Sequence, residues 1–215
     1  MKCDKNMMLL YAVTDRAWTE KMSLYEQVEA ALKNGVTCVQ LREKDLDEEA
    51  FLQEAIEIRK LCKEYQVPFI INDNVEIAVK CGADGIHVGQ EDMVASDVRN
   101  RVGDDMIIGV SAHTVEEAVE AVKNGADYLG LGAVFSTSTK LDVDNMSAET
   151  LKAICGSVDV PTVAIGGISK KNILQLTGSG VDGAAAVSAI FAAEDPGKAA
   201  ADLLVLAKEM VKGNE

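Results

Sequence analysis

Four times along this chain a stretch of helical periodicity runs into a glycine and then into a short apolar segment. The junctions are Asn34-Gly35-Val36, Cys81-Gly82-Ala83-Asp84, Asn124-Gly125-Ala126-Asp127 and Ser179-Gly180-Val181-Asp182. Each glycine suits the left-handed turn that ends a helix. Their spacings of 47, 43 and 55 residues each leave room for two strand-helix units. Eight short apolar runs predict strands near 8–13, 36–41, 67–72, 84–88, 106–110, 127–132, 161–166 and 183–187, with helical stretches between and after them. The helix beginning at Thr114 opens on a Thr-x-x-Glu capping box to Glu117 and carries Val115, Ala118, Val119 and Val122 as its apolar stripe. Ser23 and Glu26 repeat the capping signal. Strands alternating with helices imply a parallel sheet. At 215 residues the chain has about 27 per unit, close to the minimum for a closed (β/α)8 TIM barrel. An open doubly wound sheet is the rival; a single barrel domain over 1–215 is the expectation.

Composition narrows the function. Lys and Arg total 21 against 35 Asp and Glu, a formal charge of −14, which repels nucleic acid and anionic membranes at long range. Small phosphorylated molecules remain accessible, because local cations or a bound metal can reverse the potential inside one pocket. The five cysteines are scattered without a C-x-x-C pair, which suggests neither a disulfide framework nor a zinc site and points to the cytoplasm. The run from Met7 to Val13 is too short to span a bilayer and lacks a cleavage site, so it reads as the first strand. Residues 1–7 and 213–215 read as unstructured ends. A homo-oligomer is compatible with the sequence but not specified by it.

In a parallel barrel the active site collects at the C-terminal ends of the strands. The second strand ends in Gln40-Leu41-Arg42-Glu43-Lys44; alternation puts Val36, Cys38, Gln40 and Arg42 on one face and Leu41 on the other. That end can be a solvated strand terminus or a cationic cradle for phosphate. Asn72-Asp73 follows the third strand and Gly89-Gln90-Glu91-Asp92 the fourth. Asp73 and Asp92, on neighbouring strand ends, could hold Mg²⁺ or simply cap the helices that follow. Ser111 follows the fifth strand, where it is a candidate hydrogen-bond donor to substrate. His87 and His113 lack metal-ligand spacing to one another, and no G-x-S-x-G elbow occurs. From Ser136 to Met146 runs a long hydroxyl-rich stretch containing Lys140, of the kind used as a lid or binding loop. Gly166-Gly167 and Val187-Ser188 end the last two strands, a frequent phosphate site in this architecture.

Six motifs in this order, namely Gln40 to Lys44, Asn72-Asp73, His87 to Asp92, Gly109 to His113, Thr137-Ser138-Thr139-Lys140 and Ala164 to Ile168, resemble those of the thiamine-phosphate synthase family over nearly the whole chain. The resemblance implies a transferase that joins 4-amino-2-methyl-5-hydroxymethylpyrimidine diphosphate to 4-methyl-5-(2-hydroxyethyl)thiazole phosphate with release of pyrophosphate. It implies that Gln40, Leu41, Arg42, Glu43, Lys44, Asn72, Ser111 and Lys140 hold the pyrimidine diphosphate, with Arg42, Lys44, Ser111 and Lys140 as the catalytic set. Thr137, Ser138, Thr139, Gly167, Val187 and Ser188 would take the thiazole phosphate, and Asp73 and Asp92 the Mg²⁺. Leu141 departs from the pattern, since many relatives carry a polar residue there. The family reaction is dissociative and needs no protein nucleophile, so electrostatic stabilisation of the leaving pyrophosphate is the main catalytic term. Two rivals are a related thiazole tautomerase using His113 as base and a non-catalytic barrel that only binds a thiamine precursor. Retention of Arg42, Lys44, Asp73, Asp92 and Lys140 together argues against both.

Overall fold

A computed structural model describes residues 3–89, 95–136 and 146–214. Eight parallel strands close into a barrel in sequence order: β1 Leu10–Val13, β2 Cys38–Leu41, β3 Phe69–Asn72, β4 Gly85–Val88, β5 Ile107–Ala112, β6 Tyr128–Leu131, β7 Thr162–Ala164 and β8 Gly183–Ala186. Closure is made by β1 against β8, with Leu10 opposite Ala184. The helices are α1 Lys5–Met8, α2 Leu24–Lys33, α3 Glu48–Glu64, α4 Val75–Cys81, α5 Ala95–Val102, α6 Val115–Lys123, α7 Ala148–Cys155, α8 Ser188–Phe191 and α9 Pro196–Lys212. The closed barrel is the expected one, and all four junction glycines have positive φ, between 66° and 97°. Among the described residues no helix is long and apolar enough to cross a membrane.

Alternation along each strand sorts the core into two shells. Tyr11, Val13, Cys38, Ile70, Ile107, Tyr128, Val163 and Ala185 point into the barrel. Leu10, Ala12, Val39, Leu41, Phe69, Ile71, Ile86, Val88 and Leu129 point outward against the helices. Both faces of the sheet are therefore buried, as a parallel barrel requires.

Several local expectations are corrected. The first strand begins at Leu10, because Asp4 caps α1 through the Met7 N–H and Met7 and Met8 pack into the barrel interior. The expected unstructured N-terminus is thus partly a helical plug. At the other end Asn214 accepts from the Gly178 N–H and donates to the Val181 carbonyl, tying the C-terminus to the barrel. Val36 lies in the outer shell, unlike Cys38, because the chain is still turning there. On α6 the buried residues are Ala118 and Ala121, while Val119 is 46% exposed. Thr114 accepts from the Glu117 N–H, but the Glu117 carboxylate reaches back one residue further, to the His113 N–H. At Ser23 and Glu26 both halves of the box form. After β7 the chain makes a 3-10 turn over Ile173–Leu176 in place of the expected α-helix. Asn172 has no side-chain cap to offer that turn, since its Oδ1 accepts from the Ser169 N–H and its Nδ2 donates to the Gly167 carbonyl.

The fourfold repeat has a physical purpose at the N-terminal face. The side chain just before each even strand accepts a backbone N–H at the start of the preceding odd strand. Leu10 donates to Thr37 Oγ1 at 2.9 Å, Phe69 to Asp84 at 2.9 Å, Ile108 to Asp127 at 2.8 Å and Thr162 to Asp182 at 2.9 Å. Each Asp also meets a cation: Arg59, Arg99 and Lys5 respectively. These groups lie at the end of the barrel opposite the strand C-termini, where stability rather than chemistry is served. Asp182→Ala should therefore lower stability by about 1–3 kcal/mol, because the buried Thr162 N–H loses its acceptor. Thermal unfolding followed by circular dichroism would show a fall of roughly 2–12 °C for a chain of this size, with turnover at 25 °C retained. An unchanged melting temperature would refute the anchoring role.

Candidate active site

A cavity of about 230 Å³ opens at the C-terminal end of the barrel. Its cationic rim comes from the end of β2. Thr14 donates its N–H to the Gln40 carbonyl and accepts the Arg42 N–H on its hydroxyl, stitching β1 to β2 where the strands end. Arg42 then turns its guanidinium toward the cavity, 3.6 Å from Asp15. Lys44 reaches across to Asp73, with Nζ 2.5 Å from Oδ2.

The loop carrying these cations is shaped by Glu43, whose side chain is only 2% exposed. One oxygen accepts the N–H groups of Lys44, Asp45 and Leu46; the other accepts from Arg16 Nε at 2.8 Å. Arg16 in turn grips both oxygens of Glu54 at 2.7 Å. Burial alone would raise the Glu43 pKa, but the N–H of Asp45, the Arg16 guanidinium and the N–H of Lys44 outweigh it and hold the carboxyl below its ordinary value. Glu43 therefore binds the turn itself. Leu41 faces away, fully buried between the sheet and the helices. Neither side chain lines the cavity.

Asn72 ends β3 beside the cavity and Asp73 follows with φ of 60°, a left-handed conformation that Asp tolerates better than most residues. The Asp73 N–H donates to the His87 carbonyl at 2.8 Å, which fixes that turn against β4 and leaves the carboxylate at the rim.

The cavity floor is polar. Gln40 Nε2 donates to the Tyr11 hydroxyl at 2.9 Å, and Tyr11 and Tyr128 share a hydrogen bond of 2.8 Å. His87 Nδ1 lies 2.9 Å from the Tyr128 hydroxyl, and His87 Nε2 lies 3.0 Å from Ser111 Oγ. Two glycines make room for these rings. A Cβ on Gly109 would lie 2.1 Å from the Tyr128 ring, and one on Gly130 would lie 2.9 Å from His87 Cε1. Burial, and then the proximity of the other phenol, pushes the Tyr11 hydroxyl well above its ordinary pKa; burial first does the same for Tyr128.

The opposite rim is backbone. Gly167 and Ser188, with Val187 between strand and helix, line the cavity after β7 and β8. Val187 stands at the N-cap of α8 with no side-chain oxygen to cap it; its carbonyl takes the Ile190 and Phe191 N–H groups, and the Ser188 and Ala189 N–H groups are given no side-chain cap. His113 also lines the cavity, with Nδ1 3.2 Å from Glu117.

Of the residues singled out from sequence, Gln40, Arg42, Lys44, Asn72, Asp73, Ser111, Gly167, Val187 and Ser188 thus converge on one cavity. Asp92, Thr137, Ser138, Thr139, Lys140 and Leu141 lie outside the described residues. Tyr11 and Tyr128 escaped the sequence reading, because a tyrosine inside an apolar strand looks like core, which these also are.

Comparisons with known proteins show what the whole chain is similar to. The family model described as thiamine monophosphate synthase matches residues 10–190. The thiamine-phosphate synthase of Ruminiclostridium cellulolyticum is 49% identical over 195 residues, covering 91% of this chain and 93% of that protein. That of Clostridium acetobutylicum is 48% identical over 185 residues, covering 86% and 88%. Among solved structures, a thiamine phosphate pyrophosphorylase from Pyrococcus furiosus superposes with a TM-score of 0.88 at 38% identity, covering 96% of this chain and 98% of that one.

Proposed function

The chain belongs to the thiamine monophosphate synthase family, and we propose from that premise that its barrel mouth joins 4-amino-2-methyl-5-hydroxymethylpyrimidine diphosphate to 4-methyl-5-(2-hydroxyethyl)thiazole phosphate. The products are thiamine monophosphate and pyrophosphate. One observation carries the reading: a cationic rim of Arg42 and Lys44 and a backbone rim of Gly167, Val187 and Ser188 face each other across a floor of hydrogen-bonding side chains. Two anionic groups and one polar ring find complementary surroundings there.

Breaking the bond between the pyrimidine methylene and the diphosphate moves negative charge onto the leaving group. Arg42 and Lys44 at that rim bind the charge more strongly as it grows, which lowers the barrel's transition state relative to its ground state. Gln40, Asn72 and Ser111 orient the pyrimidine, and the Gly167 and Ser188 backbones hold the thiazole phosphate so that its ring nitrogen meets the methylene carbon. No side chain has to act as nucleophile, in keeping with a dissociative path. Lys140 would add to the cationic set and Thr137, Ser138 and Thr139 to the phosphate site.

Mg²⁺ fits the residues present. Asp73 offers a hard carboxylate at the rim, and the Lys44 ammonium already stands at its oxygen, marking a place where positive charge is held. No group of three or more His, Cys, Asp or Glu side chains forms a metal site among the described residues; Mg²⁺ characteristically uses one or two carboxylates with substrate phosphates and water. Asp73 and Asp92 would hold it. When bound, the ion would neutralise charge on the diphosphate. The free thiols of all five cysteines fit a cytoplasmic reaction.

The direct test mixes the protein with both substrates and Mg²⁺ and follows thiamine monophosphate and pyrophosphate. Both products should form in equal amounts and cease with EDTA. Precursor binding by folded protein without product would instead favour the tautomerase or the non-catalytic barrel.

A further inference from the structure

The polar floor contains more order than substrate contact alone demands. Gln40, Tyr11, Tyr128, His87 and Ser111 form four consecutive hydrogen bonds of 2.9, 2.8, 2.9 and 3.0 Å, spanning from β2 through β1, β6 and β4 to β5. The two tyrosine rings sit 5.9 Å apart at a tilt of 54°, and His87 lies 5.5 Å from the Tyr128 ring. We propose that these five side chains act as one hydrogen-bond chain of fixed direction, in which His87 accepts on Nδ1 and donates from Nε2, and which thereby sets the pattern that the floor presents to an aminopyrimidine.

The direction follows from proton counting. An amide nitrogen can only donate, so Gln40 occupies a lone pair of Tyr11. Tyr11 has one proton. If it goes to Tyr128, the Tyr128 proton goes to His87 Nδ1. The ring then donates from Nε2 to Ser111. In the reverse direction Tyr11 accepts twice, and among the described residues its own proton is left with the Cys38 sulfur, a weak acceptor. Both tyrosines are fully buried, so a poorly placed proton there is costly. With Nε2 engaged, Gln40 has its carbonyl oxygen to offer an exocyclic amino group. Ser111 receives the Nε2–H on its hydroxyl oxygen and is thereby held in place at the cavity. Tyr11, Tyr128 and His87 are then positioning residues. This assignment rests on the reading that the pyrimidine lies over Gln40 and Ser111.

Nitrogen-15 NMR of histidine-labelled protein tests it. The chain has two histidines, so His113→Gln assigns the spectrum. His87 should show a protonated Nε2 and a bare Nδ1. Tyr128→Phe, which keeps the ring but removes the hydroxyl, should mix the tautomers and raise KM for the pyrimidine diphosphate roughly five- to tenfold. The inhibition constant of pyrophosphate should stay unchanged. Tyr11→Phe breaks the chain one link further from His87 and replaces the first variant if that one fails to fold. A wild-type His87 that carries a proton on Nδ1 overturns the proposal. An unchanged KM in Tyr128→Phe while Ser111→Ala raises it also overturns the chain but leaves the site reading intact. An unchanged KM in both variants removes the site reading with it.

Discussion

Replacing Arg42 by alanine is expected to lower kcat/KM for the pyrimidine diphosphate by about 10²- to 10³-fold, the usual loss when a preorganised charge stabiliser is removed from a water-excluding site. The guanidinium lines the cavity, and the backbone that carries it is fixed by the Thr14 hydroxyl at 3.0 Å. Its one ion pair among the described residues, with Asp15 at 3.6 Å, is partly exposed, so the folded state loses about 0–1 kcal/mol at most. Activity and stability should therefore separate, with turnover collapsing while the melting temperature barely moves. Arg42→Lys should recover only part of the rate, because an ammonium lacks the planar fork that grips two phosphate oxygens. Steady-state kinetics over a range of pyrimidine diphosphate concentrations, with pyrophosphate release as readout, would decide it. Turnover within about threefold of the wild type would place the diphosphate away from Arg42.

How much of this was legible follows from which signals are local. The junction glycines and strand-helix alternation are local backbone requirements, so they predicted the closed barrel and placed every described site residue at a strand's C-terminal end. Register-dependent facts were less accessible. In a sheet buried on both faces, apolar alternation does not say which face is the barrel interior. Leu41 and Glu43 therefore read as equal members of the Gln40 to Lys44 motif, although Leu41 packs outward and Glu43 folds back onto its own loop. Tyr11 and Tyr128 lie 117 residues apart, and only the barrel's closure brings their hydroxyls together. The N-terminal helix was hidden because Met7 and Met8 extend the apolar run of β1, and a four-residue helix has too few turns to show a period.

Glu43 is where loop shape and stability meet. Glu43→Ala should cost about 3–5 kcal/mol, since it strips a buried partner from Arg16 and leaves three backbone N–H groups without their acceptor. For a domain of this size that is a fall of roughly 6–20 °C in melting temperature. Arg16 retains Glu54, which favours the lower half of the range. Glu43→Gln separates the contributions, because its amide oxygen can still accept the loop N–H groups while the charge opposite Arg16 is gone. The sign of the pH effect is fixed by the direction of the shift. The Glu43 carboxyl is held below its ordinary 4.5 in the folded protein, so its contribution is fully present above that value and is lost as pH falls through the lowered folded pKa. The stability gap between wild type and Glu43→Gln should thus be constant from pH 6 to 8, and should narrow on acidification below about pH 4.5. Urea unfolding at a series of pH values measures that gap directly. A gap that widens on acidification would mean that the carboxylate is not stabilised by its partners. Function should track the loop: with the turn loosened, Lys44 is no longer held facing Asp73, and KM for the pyrimidine diphosphate should rise in Glu43→Ala more than in Glu43→Gln even at temperatures where both variants are fully folded.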